Sequence, residues 1–166
     1  MQPSAADGHN PHVPRELEIC CYSVSDAQIA ERFGADRIEL CAGRPEGGTT
    51  ASLGVLRSAI ESLTIPVFPM VRPRGGDFVY DDLEFSAMCD DVRTIAAMGF
   101  RGLVFGILDS SGGVDVGRSA ALLDIARQTN PAIEVTFHRA FDEVSNPIAA
   151  YQQLANLGFT RLLTSG

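Results

Sequence analysis

The chain has 166 residues, with 21 Asp and Glu against 13 Arg, no Lys, and a formal net charge of −8. That length suits one globular domain, and the lack of any long apolar run excludes a membrane-spanning helix. The acidic balance argues against a nucleic-acid binder held by phosphate contacts, and without Lys neither imine chemistry nor a P-loop nucleotide site can be built.

Residues 1–15 hold three Pro and almost no large apolar side chains. They predict a flexible tail that includes His9 and His12, with no secretory signal pattern. Beyond it, apolar runs predict strands at Leu17–Ser23, Arg37–Cys41, Val67–Arg72, Leu103–Leu108, Glu134–Arg139 and Arg161–Ser165. They start about 20 to 36 residues apart, the spacing of βα units. Between them, Ser25 with Gln28 suggests a capping box for a first helix that stops before Gly34. Ser52 opens an apolar stripe over Leu53–Leu63. Asp81 and Asp82 favour the start of a helix that runs to Met98, with Gly99 as its stop. Arg118–Gln128 is a weaker helical segment. Asn146-Pro147 is an N-cap followed by Pro at the first helical position, and that helix ends at Gly158.

One segment repeats: Phe33-Gly-Ala-Asp-Arg-Ile-Glu-Leu, Met98-Gly-Phe-Arg-Gly-Leu-Val-Phe and Leu157-Gly-Phe-Thr-Arg-Leu-Leu-Thr. Each reads as a helix end, a glycine and a strand, with copies 65 and 59 residues apart, about two βα units. This predicts an α/β chain of the (β/α)8 TIM-barrel class with about six βα units, over residues 16–166. An open doubly wound sheet is the competing fold, but no GxGxxG follows the first strand and no nucleotide cofactor is expected.

Strands buried on both faces normally read as continuous Val, Ile and Leu, and these alternate instead. Glu18, Cys20 and Tyr22 share one face of the first strand, Arg37, Glu39 and Cys41 of the second, Phe68, Met70 and Arg72 of the third, and Glu134, Thr136 and His138 of the fifth. The apolar faces are expected to meet the helices and the polar faces to line the barrel interior, where charge must be paired or used. Early in their strands, Glu18, Arg37 and Glu39 fit a structural ion-pair network equally well. Arg72, Arg74, His138 and Arg139 lie at strand C-terminal ends, where barrel active sites are built. Arg72 and Arg74 could clamp a carboxylate or phosphate.

The four cysteines, without a CxxC pair, read as reduced thiols and not as a zinc knuckle or a disulfide framework. Cys20 and Cys41 have the same inward parity on neighbouring strands about 5 Å apart. Such a pair suits a soft ion such as Cu(I), or is simply two small buried side chains. Cys21 and Cys89 read as structural.

Leu17-Glu-Ile-Cys-Cys-Tyr-Ser, Gly34-Ala-Asp-Arg-Ile-Glu-Leu-Cys, Glu46-Gly-Gly-Thr-Thr, Arg72-Pro-Arg-Gly-Gly-Asp-Phe, Thr136-Phe-His-Arg-Ala-Phe-Asp and Leu163-Thr-Ser-Gly occur in order. In these motifs the chain resembles the CutC family, named for copper homeostasis. The resemblance implies a TIM barrel, a cytoplasmic location and Cu(I) binding, with Cys20 and Cys41 matching the two cysteines proposed as the family's copper site. It also implies a barrel that continues for roughly two more βα units.

Two functions follow as expectations: a cytosolic Cu(I)-binding protein, or a barrel enzyme of unassigned reaction on a small phosphorylated or carboxylate substrate. In the second, Arg72, Arg74 and Arg139 would hold the anion, and His138 with Glu39 would act as acid and base. With the first and sixth strands each short of a neighbour, homo-oligomers through open edges are expected, and the inner residues Phe68, Met70 and Leu163 are expected to lose packing.

Overall fold

A computed structural model describes residues 15–165. Residues 1–14, where the tail with His9 and His12 is expected, lie outside the described residues. Six short strands alternate with five helices: β1 Glu18–Cys21, α1 Val24–Arg32, β2 Arg37–Leu40, α2 Leu53–Ser62, β3 Val67–Pro69, α3 Asp82–Ala97, β4 Gly102–Phe105, α4 Val116–Thr129, β5 Glu134–Phe137, α5 Pro147–Leu157 and β6 Arg161–Leu162. Short 3-10 turns occupy Arg44–Glu46 and Arg139–Glu143.

All paired strands are parallel, in the orders β1-β2-β3 and β4-β5-β6. A parallel bridge between Met70 and Val104 joins the two sets, supported by a 2.7 Å bond from the Val71 N–H to the Val104 carbonyl. Strand order therefore follows chain order throughout. A doubly wound sheet reverses its order at a switch point, whereas a barrel does not. The repeat has a structural counterpart: its three glycines, Gly34, Gly99 and Gly158, all take left-handed φ of 84–94° just past a helix end. That conformation costs a Cβ-bearing residue most, and it turns the chain back toward the sheet.

Local chemistry explains where the elements differ from the pattern. The first helix is capped by Ser23, not Ser25: the Ser23 hydroxyl accepts from the Asp26 N–H at 3.0 Å. Asp115 caps α4 and starts it two residues before Arg118. Asp81 and Glu84 form the reciprocal capping box of α3. The strands are shorter than the apolar runs because their C-terminal ends are drawn into loops. His138 caps the 3-10 turn after β5, Leu108 bonds back to the Phe78 carbonyl, and Ser165 bonds to the Asp142 carboxylate.

The outward strand faces bury Ile38, Leu40, Val67, Leu103, Phe105 and Val135 against Leu56, Met88, Val92, Ile95, Leu122 and Leu123 of the helices. The inner faces carry the polar set. At the N-terminal end of the strands charge is paired: Glu18 binds Arg37, Glu16 binds Arg37 at 2.9 Å, and Glu134 binds Arg161 and Arg101. Arg37 and Arg161 both lie over the Phe68 ring, 5.2 and 5.1 Å from its centroid. The expectation that Phe68 and Met70 lose packing is thereby corrected: Phe68 is fully buried with two guanidinium groups over its ring, and Met70 is also buried.

Gly102 makes this layer fit. A Cβ there would strike the Phe68 ring and come within 2.7 Å of the Glu134 carbonyl oxygen, a backbone atom that cannot step aside. A Gly102→Ala variant is expected to lose about 1–3 kcal/mol of stability in a denaturant melt. An unchanged unfolding midpoint would contradict this packing.

Candidate functional site

Toward the C-terminal strand ends the inner polar residues stop pairing with one another. Parallel register sets Cys20 of β1 opposite Glu39 of β2, and Cys41 follows one residue after β2. Their inward parity brings the Cys20 and Cys41 sulfurs to 3.8 Å. A Glu39 carboxylate oxygen completes a cluster whose ligand atoms all lie within 4.8 Å of one another. Gly48, at φ +105°, passes so close that a Cβ would sit 3.2 Å from the Cys41 sulfur. The β2–α2 loop thus caps the buried thiol with bare backbone.

The two sulfurs divide one proton. Cys20 is exposed and Cys41 buried. The hydrogen bond from the Cys41 thiol lowers the Cys20 pKa from 9.0 to about 6, with help from Glu39 and Tyr22. The same bond, with burial, raises Cys41. Glu39 is 6% exposed, and desolvation first, then the Cys20 charge, lifts it from 4.5 to about 8. At neutral pH the cluster therefore reads as a Cys20 thiolate flanked by a Cys41 thiol and a neutral Glu39 acid.

Glu39 also faces a cavity of about 260 Å³ with Met70, Arg72, Phe78, His138, Arg139 and Leu163. Arg72 ties the neighbouring loops together. Nη1 donates to the Glu46 and Gly48 carbonyls at 2.7 and 3.0 Å, and Nη2 donates to the Gly76 carbonyl at 2.7 Å. Its main chain is pinned by Thr50, whose Oγ1 accepts from the Arg72 N–H at 3.0 Å. Phe78 forms a shared wall, 4.7 Å from the Arg72 guanidinium carbon and 4.9 Å from the His138 ring. His138 Nδ1 accepts the Ala140 N–H at 3.2 Å. Burial first, then the Arg72 charge, lowers its pKa from 6.5 to about 3. The imidazole is thus neutral, with its proton on Nε2.

The structure gathers Glu39, Arg72, His138 and Arg139 around this cavity and puts Cys20 and Cys41 beside Glu39. One expected placement needs correction. Arg74 does not line the cavity, because Glu84 and Asp77 take its guanidinium and the Tyr80 ring lies 5.2 Å below it. His138 has its Nδ1 lone pair engaged by the Ala140 N–H, which leaves its proton on Nε2. Arg139 reaches the rim but is paired with Asp142 at 3.0 Å. Glu39 sits with the cysteines, outside the Glu18–Arg37 pair. Phe78, Tyr22 and the carbonyls that bind Arg72 were not anticipated. Only the glycines around them hinted that backbone would approach side chains closely.

Geometry and topology define a parallel β/α barrel-type protein with a thiol–carboxylate cluster and a polar cavity at the C-terminal strand ends. Residues 15–166 match the CutC family model, and the chain belongs to the CutC family. The CutC family proteins of Yersinia enterocolitica and Photorhabdus laumondii are each 54% identical over 151 residues, which cover 91% of this chain. The chain spans 58% and 59% of those two relatives' length. The crystal structure of a CutC protein from Streptococcus agalactiae superposes with a TM-score of 0.84 at 36% identity, covering 91% of this chain and 72% of that one. A phosphonopyruvate hydrolase structure shares the fold alone, with a TM-score of 0.63 at 14% identity over 90% of this chain and 58% of that one.

The shared proton has a pH signature. Between about pH 6 and pH 9 the folded pair holds one proton where the unfolded thiols hold two, so the pair's contribution to stability rises with pH there. Glu39 acts in the opposite sense, since between 4.5 and about 8 only the folded chain keeps its proton. The clean readout is therefore thiolate absorbance. One thiolate is expected to titrate near pH 6 and to move toward 9 in Cys41→Ala. A wild-type chain with no thiolate below pH 8 would contradict the shared proton.

Proposed function

We propose that this chain is a cytoplasmic copper homeostasis protein that binds Cu(I) through Cys20 and Cys41. The observation that carries this reading is the pair of sulfurs 3.8 Å apart, with a Glu39 carboxylate oxygen within 4.8 Å of both. Soft thiolates favour Cu(I) over hard divalent ions. The exposed Cys20 gives the metal a way in, and binding releases the proton that Cys41 holds. Reduced cysteines in an electron-rich cluster fit a reducing compartment, and membership of a family whose solved relative is called a copper homeostasis protein points the same way.

The test is a competition titration of the reduced protein with Cu(I) and a chelator. Wild type is expected to hold one Cu(I), and Cys20→Ser/Cys41→Ser to lose it. Equal binding by both proteins would reject the site.

A further inference from the structure

The copper reading leaves the 260 Å³ cavity unexplained. Two of its buried groups are left incomplete by the protein itself. Arg72 is 5% exposed. Three of its guanidinium protons go to neutral carbonyls, and its Nε has no hydrogen-bond acceptor. Among the described residues no carboxylate forms an ion pair with it. A buried cation stabilised by carbonyl dipoles and one ring face retains its full charge toward whatever enters the cavity.

His138 is 3% exposed, and its Nε2 has no partner. Its ring cannot turn to exchange the two nitrogens freely. Ala140 holds Nδ1, and a Cβ on Gly106 would come within 2.6 Å of Cε1, so that edge lies flat on bare backbone. Both groups line the same cavity and share the Phe78 wall.

We propose that this cavity binds a short organic monocarboxylate, with the carboxylate between Arg72 and the His138 Nε2–H and the carbon body against Met70, Phe78 and Leu163. One unpaired cation and one neutral donor match a single negative charge. The exposed rim acids Glu46 and Glu143 oppose a second charge, which disfavours a phosphate dianion. Three apolar side chains would be wasted on an inorganic ion, and the volume restricts the ligand to a few carbons.

The probes are propionate, lactate and inorganic phosphate, added to the reduced full chain with ¹⁵N-labelled histidine. Propionate or lactate is expected to shift the His138 Nε2 resonance saturably, and phosphate to bind at least tenfold more weakly. By isothermal titration calorimetry with propionate, Arg72→Gln and His138→Phe are each expected to weaken binding about tenfold to hundredfold. The second variant keeps a ring in place and leaves the loop contacts of Arg72 intact. Cys20→Ser/Cys41→Ser is expected to bind propionate as wild type does, which separates this site from the copper reading. The proposal is overturned if neither carboxylate shifts His138 in the wild-type chain. It is also overturned if phosphate binds as tightly, if a folded His138→Phe binds like wild type, or if the cysteine variant loses binding.

Discussion

A parallel barrel whose strands point charge inward must dispose of that charge, and here it does so differently at the two ends of the strands. At the N-terminal end each acid has an arginine: Glu18 with Arg37, Glu134 with Arg161 and Arg101. Arg37 and Arg161 each lie over the Phe68 ring, so two cations share one aromatic side chain. Two to four residues further along, at or just past the strand ends, the matching stops. Glu39 has an oxygen with no hydrogen-bond partner, Arg72 has only carbonyls, and His138 has a bare Nε2. The layer whose charges are paired holds the barrel together, and the layer whose charges are not is where chemistry can enter.

The upper layer is itself divided by the softness of its atoms. Cys20 and Cys41 form a polarisable pair on β1 and just past β2, while Arg72 and His138, just past β3 and β5, form a hard pair that offers donors to the cavity. Glu39 stands between, touching the thiolate on one side and lining the cavity on the other. Burial keeps it protonated at neutral pH, so it adds no charge to either neighbour. An ionised Glu39 would repel both the Cys20 thiolate and any anion beside Arg72.

The barrel was legible in the sequence because its signals are local and repeated. Gly34, Gly99 and Gly158 mark the same turn three times, and period-two alternation names the inner residue set directly. The thiol pair was legible for the same reason, since parity and one strand spacing suffice to place Cys20 beside Cys41. What could not be read is where a long side chain ends. Arg72 and Arg74 lie two residues apart with equal guanidinium chemistry, yet one turns inward to three carbonyls and the other outward to Glu84. The capping box of α3 decides this, because it brings Glu84 to the loop, and no spacing rule connects residue 74 to residue 84. The role of His138 depended likewise on a single backbone bond from Ala140.

The division of the inner face into a paired and an unpaired layer is the central claim. The most direct measurement is a crystal structure of the reduced chain grown with Cu(I) and propionate, with anomalous data at the copper edge. The account predicts a copper peak between the Cys20 and Cys41 sulfurs, a carboxylate between Arg72 and His138, and undisturbed Glu18–Arg37 and Glu134–Arg161 pairs. Copper or carboxylate bound among those ion pairs, with the upper layer empty, would contradict it.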